Sequence, residues 1–170
     1  MLIIIPTDTC YGLAGELTGT DYAEIYRLKG RDFAKPLAIL VRNYADMASY
    51  IDILSEQIEF LKKYPRPWSY LGKRSSQFKL PDFLDGDTYL RLSIRVAESC
   101  ISADIRDQIL YPLFLTSANF SGQNESKTLA EARESFPDII GIDEGICDLP
   151  PSDIFYFDDS GEIEYMRKFS

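Results

Sequence analysis

Short apolar runs, set between polar and turn-forming segments, constrain this chain most. LIII at 2–5 and LAILV at 37–41 each predict a buried strand. YLRLSIRV at 89–96 alternates polar and apolar residues, as a strand with one covered face does. DYAEIYRL at 21–28 predicts a helix capped by Thr20 and stopped by Gly30. Further helices are expected over 44–50, 55–64, 99–109 and 128–136, the last with Thr128 and Glu131 forming a capping box. Residues 113–115, 139–142, 153–157 and 163–166 predict strands, the last two joined by the DDSG turn at 158–161. Segments 6–15 and 116–122 predict loops, and 65–80 a proline-bracketed turn running into a hairpin-like β segment. Alternating strands and helices give an α/β class, and the closing meander makes the sheet mixed. A chain of 170 residues is expected to form a single domain, 1–170.

Charge narrows the function. The formal net charge is −9, yet RLKGRDFAKPL at 27–37 gathers Arg27, Lys29, Arg31 and Lys35 around one acid, Asp32. Arginine's planar fork suits phosphate and carboxylate oxygens, so the cluster points to an anionic ligand. Basic residues at a helix end, favoured by the helix dipole, are the other reading of the same segment. Residues 60–81 hold six basic residues and no acid, whereas 130–170 hold eleven acids and three bases. Such a chain is a poor general binder of nucleic acid but can focus a positive field into one cleft.

There is no histidine, which removes Ser-His-Asp and Cys-His nucleophiles and the common zinc patterns. Cys10, Cys100 and Cys147 form no CxxC pair and no disulfide framework, so a cytoplasmic location is expected. No apolar run approaches the length of a membrane span, and MLIII is too short for a signal peptide. No membrane partner is expected.

Four separated motifs then align: PTDTCYGL at 6–13, LKGRDFAKPLAIL at 28–40, LSIRV at 92–96 and TSANFSG at 116–122. PRPWS at 65–69 and PPSDI at 150–154 join them. In order and spacing, over nearly the whole chain, they resemble the YrdC/TsaC family of threonylcarbamoyl-AMP synthases. The resemblance implies a YrdC/RibB-like twisted, open mixed sheet with flanking helices and a concave positive face. It implies a nucleotidyltransferase that makes threonylcarbamoyl-AMP and pyrophosphate from L-threonine, bicarbonate or CO2, and ATP. Mg2+ is expected to enter with ATP. The product would feed t6A modification of tRNA through a separate transfer complex, so tRNA is an indirect partner.

The site residues follow from the matched motifs. Lys29, Arg31 and Lys35 match the family's cationic segment and are expected on the triphosphate, with Lys29 and Arg31 catalytic through charge stabilisation. At i, i+2 and i+6 they share no face of a straight helix, so the helix must end near Gly30 for them to converge. Thr9 matches a threonine-contacting position, and an ordinary hydroxyl turn built by Thr7, Asp8 and Thr9 is compatible with that role. Arg95 matches the arginine that holds the amino-acid carboxylate, a cross-strand ion pair being the alternative. Leu40 matches a threonine contact, although a strand leucine also reads simply as core. Arg91, Ser117, Asn119, Ser121 and Ser152 match nucleotide positions; a polar strand-to-helix loop is the plain reading of 116–122. Cys10 reads as a small apolar residue in the substrate loop.

The chain departs from the family pattern in several places. It opens almost at the first motif strand, and no counterpart of the extra domain of longer relatives is expected within the 170 residues. Asp32 stands where proline is common and puts an acid beside the phosphate candidates. Arg66 and Ser69 replace glycine and threonine, and Ala97 stands where a proline usually follows. The rival reading is a YrdC-like RNA-binding or ribosome-associated module without synthase activity, favoured by the basic run at 60–81 and opposed by the acidic tail. A carbamoyl-adenylate activity of the hydrogenase-maturation type is a further rival, one that belongs to much larger chains.

Overall fold

A computed structural model describes residues 1–169. Nine strands form one mixed sheet: β1 (Ile3–Pro6), β2 (Tyr11–Glu16), β3 (Ala38–Val41), β4 (Trp68–Lys73), β5 (Arg91–Val96), β6 (Leu113–Ser117), β7 (Ile140–Gly141), β8 (Asp153–Phe157) and β9 (Ile163–Arg167). Their spatial order is β7-β1-β2-β6-β3-β5-β4-β8-β9. The β1/β7, β3/β5 and β4/β8 pairs are parallel and the others antiparallel, so the α/β class and the mixed sheet agree with expectation.

Strand alternation gives the sheet two unlike faces. Ile4, Leu13, Ile39, Ile94, Phe114 and Phe155 point to one face and are fully buried. That face is covered by α1 (Gly19–Lys29), a 3-10 helix (Tyr44–Ser49), α2 (Ser55–Lys62) and α5 (Leu129–Ser135), which supply Tyr22, Ile25, Tyr26, Met47, Leu61 and Leu129. A smaller core on the other face joins Ile5, Ala14, Leu40 and Leu113 to two one-turn helices, α3 (Ala97–Cys100) and α4 (Ala103–Arg106). The rest of that face is open.

Several elements differ from the sequence reading. Half of the expected 6–15 loop is β2, because Gly12 marks crowding rather than a turn: a Cβ there would lie 2.6 Å from Leu115 Cδ1. The helix cap is Thr18, whose side chain accepts from the Asp21 N–H at 3.2 Å, leaving Thr20 in the first turn. Gly30 ends α1 as expected, at φ 59°. The single helix expected over 99–109 is α3 and α4, split where Ile101 is extended; Ile101, Ile105 and Ile109 still face the small core. The helix expected over 44–50 is the 3-10 helix Tyr44–Ser49, not an α-helix, with Asn43 as cap. Segment 65–80 forms no hairpin of its own, since β4 pairs with β5 and β8. The Thr128–Glu131 capping box is present. Among the described residues no helix is long and apolar enough to cross a membrane.

Candidate active site

The open part of the sheet is a cleft of about 230 Å³. Its floor is Gly12, Ala38, Ser93 and Leu115, small or apolar positions on β2, β3, β5 and β6. Three arginines line it from distant parts of the chain, Arg31, Arg95 and Arg167, together with the hydroxyls of Thr7, Thr9, Ser69, Thr116, Ser117 and Ser152.

Arg31 follows directly on the end of α1. The left-handed turn at Gly30 throws the chain into the 31–36 loop, and that loop holds the guanidinium. Nε donates to Lys35 O at 3.2 Å, Nη2 to Pro36 O at 3.0 Å and Nη1 to Thr116 Oγ1 at 3.3 Å. Tyr26 fixes the same loop by donating its hydroxyl to Lys35 O at 2.6 Å. Arginine has five N–H groups, so two stay available to a ligand. Asp32, expected beside the phosphate candidates, does not line the cleft. Its carboxylate accepts from the Ala34 N–H at 2.8 Å and shapes the exposed loop.

Lys29 sits elsewhere. Its amine is buried and donates to Ser117 O at 2.5 Å and Asn119 O at 2.7 Å, tying the end of α1 to the loop after β6. Burial, then the charge of Arg31, pushes this amine down to about 8. Ser121 completes the tie through its backbone N–H, 3.0 Å from Lys29 O, while its side chain is exposed. Lys29 therefore backs the cleft rather than lining it. The side chain of Lys35 is exposed outside the cleft, because the loop uses its carbonyl and turns its amine to solvent.

Arg95 is 5% exposed and gives Nη2 to Asp8 Oδ1 at 2.5 Å, while its buried Nε has no hydrogen-bond partner. The ion pair and a buried, unpartnered N–H thus coexist on one guanidinium, which also lines the cleft. Arg91, on the same side of β5, lies beyond the cleft lining, 4.1 Å from the Tyr156 ring and bonded to Leu71 O at 3.3 Å. Leu40 is fully buried in the core beneath α3 and α4 and does not line the cleft.

Thr9 satisfies both readings: it lines the cleft, and its N–H donates to Thr7 Oγ1 at 3.3 Å within a hydroxyl turn. Ser117 and Ser152 also line it. Asn119 is buried just behind, its Nδ2 donating to Phe120 O and Gln123 O while Oδ1 has no partner. Cys10 lines the cleft with its thiol pushed up to about 11, chiefly by burial.

Sequence reasoning missed Arg167, Glu125 and Ser93. Arg167 reaches across from β9 and donates Nε and Nη2 to Ser152 O at 2.9 and 2.8 Å. The available signal was a lone arginine ending a strand inside an acidic tail. Glu125 comes from the loop after β6, with its carboxylate 3.7 Å from Lys127 Nζ; that amine donates to Thr9 O at 2.6 Å. Among the described residues, no group of three His, Cys, Asp or Glu is placed to hold a metal ion. The basic run at 60–81 does not converge on the cleft: Lys62 pairs with Glu59 and Arg66 with Asp153.

Comparison with known proteins adds a family. The model of the Sua5, YciO and YrdC proteins, described as telomere recombination, matches residues 1–168. A mouse threonylcarbamoyl-AMP synthase is 31% identical over 146 residues, covering 85% of this chain and 51% of its own length. A threonylcarbamoyl-AMP synthase from Dichelobacter nodosus is 31% identical over 141 residues, covering 79% of this chain and 71% of its own. The structure of P. abyssi Sua5 complexed with L-threonine superimposes with a TM-score of 0.72 at 22% identity, over 91% of this chain and 46% of that one. The chain spans about half the length of the mammalian relatives it matches.

Proposed function

The chain belongs to the Sua5/YciO/YrdC family, and from that membership we propose that it forms threonylcarbamoyl-AMP and pyrophosphate from L-threonine, bicarbonate or CO2, and ATP. The observation that carries the reading is the convergence of Arg31, Arg95 and Arg167 on one cleft in a chain of net charge −9. Two anionic substrates that must meet need separate cations, and the arginines come from separate elements. Support also comes from the 31% identical synthases.

Arg95, which lines the cleft, takes the threonine carboxylate, with Thr9 beside it. Arg31 and Arg167 hold the phosphates, and the charge that develops on the departing pyrophosphate falls on donors already fixed by the loop and by Ser152. Ser117 and the Asn119 loop position the nucleotide, with Lys29 holding that loop from behind. The carbamate oxygen attacks the α-phosphorus and pyrophosphate leaves, so no covalent enzyme intermediate is required. Mg2+ enters as part of the ATP substrate. The product supplies t6A synthesis on tRNA through a separate transfer complex, and the buried, unpaired cysteines suit a reducing cytoplasm.

The test is purified chain with ATP, bicarbonate, Mg2+ and labelled threonine. Labelled adenylate and pyrophosphate are expected, and Arg95→Ala should raise the threonine requirement more than the ATP requirement. No adenylate, under conditions in which a relative is active, would sink the reading.

A further inference from the structure

We propose that Glu125 is the proton acceptor that converts the substrate ammonium into the amine that captures CO2. This rests on the synthase reading above and adds a catalytic residue to it.

The reaction has a demand that arginines and hydroxyls cannot meet. An amino acid enters with a protonated amine, and only the free amine adds to CO2. Two protons must leave the nitrogen in all. The chain has no histidine. The side chains lining the cleft are hydroxyls, apolar groups, three arginines, Cys10 and Glu125. Arginine stays protonated. The Cys10 thiol, pushed up to about 11, holds its proton at neutral pH. Asp8 is bound by Arg95 at 2.5 Å and does not line the cleft. Glu125 is therefore the one acid lining the cleft among the described residues, and its carboxylate accepts no hydrogen bond among them.

Its position fits the role. Lys127 lies 3.7 Å from the carboxylate and is itself bonded at 2.6 Å to the carbonyl of Thr9. One lysine thus links the proton acceptor to the residue expected to contact threonine. The Glu125 side chain is 31% exposed, which leaves it a route to water. The ammonium gives a proton to Glu125, which releases it to solvent. The nitrogen lone pair then forms the C–N bond to CO2, one C=O π pair becoming the carboxylate oxygen's charge. The second proton leaves the nitrogen by the same carboxylate. The resulting carbamate is the nucleophile for the α-phosphorus.

The test compares wild type, Glu125→Gln and Glu125→Asp in two directions. Forward synthesis runs from threonine, bicarbonate and MgATP. The reverse runs from threonylcarbamoyl-adenylate and pyrophosphate to ATP, releasing the carbamate as leaving group and requiring no deprotonation of the threonine ammonium. Glu125→Gln should lose forward turnover by about 100-fold or more, keep reverse ATP formation within about two-fold, and regain forward rate as rising pH supplies free amine. Glu125→Asp should recover part of the forward rate. Equal losses in both directions, an unchanged forward rate, or a higher threonine KM at unchanged kcat would each overturn the role. A wild-type chain inactive in both directions would instead overturn the synthase reading, and this role with it.

Discussion

On one face of the sheet Ile4, Leu13, Ile39, Ile94, Phe114 and Phe155 are sealed under α1, α2 and α5. On the other, the same strands present Gly12, Ala38, Ser69, Ser93, Arg95 and Ser117 to a cleft. Adjacent residues of one strand thus serve opposite ends. Phe114 packs against the rings of Tyr22 and Phe83, while Leu115 beside it forms the cleft floor. Stability comes mainly from the sealed face, where apolar area leaves water. The open face can carry three arginines because most of the core lies on the other side of the backbone.

That division can be broken from either side. The largest effect is expected from Phe155→Ala, which removes a ring packed against Tyr64 and Tyr165 and should cost about 3–5 kcal/mol in urea unfolding. Next, Arg31→Ala should cut adenylate formation by roughly 10²–10³-fold, with the thermal midpoint nearly unchanged. A large fall in that midpoint would show that the cleft also carries stability.

Lys29 tests the boundary between the faces. Its folded pKa of about 8 lies below the ordinary lysine value of 10.5. Below pH 8 both states hold the proton and the folded state bears the full cost of a buried ammonium. Between pH 8 and 10.5 the unfolded chain binds more protons than the folded one, so stability rises with pH, by roughly 3 kcal/mol from this group. Lys29→Met should abolish that rise, measured as unfolding free energy against pH in both proteins. A rise that survives in the variant would assign it to other groups. The smallest effect is expected from Arg27→Ala. Among the described residues Arg27 pairs with Glu24 alone, on the exposed side of α1, so neither the thermal midpoint nor turnover should move measurably.

The sealed face was the legible one. LAILV is an unbroken apolar run and YLRLSIRV carries the strand period openly, and both strands lie where expected within two residues. β2 was not legible, because a strand that needs glycine for close packing is written in the letters of a turn. The cleft was legible only in part. Arg31, Arg95, Thr9, Ser117 and Ser152 lie in contiguous motifs and do line it. Lys29 lies in the same motif, yet its amine faces the backbone of another loop, which depends on tertiary placement. Arg167 and Glu125 reach the cleft through long-range pairing that no local pattern records.

The β9 strand has a consequence in time. The cleft draws its lining from Thr7 to Arg167, so it does not exist in any contiguous stretch of the polypeptide. Arg167 meets Ser152 only once β9 has paired with β8 at the rim of the sheet. A chain emerging from the ribosome would bury most of its interior before it could hold both anions. Ligand-binding competence thus waits on the pairing of β9 with β8, and a protease cut between them followed by loss of β9 should remove it first.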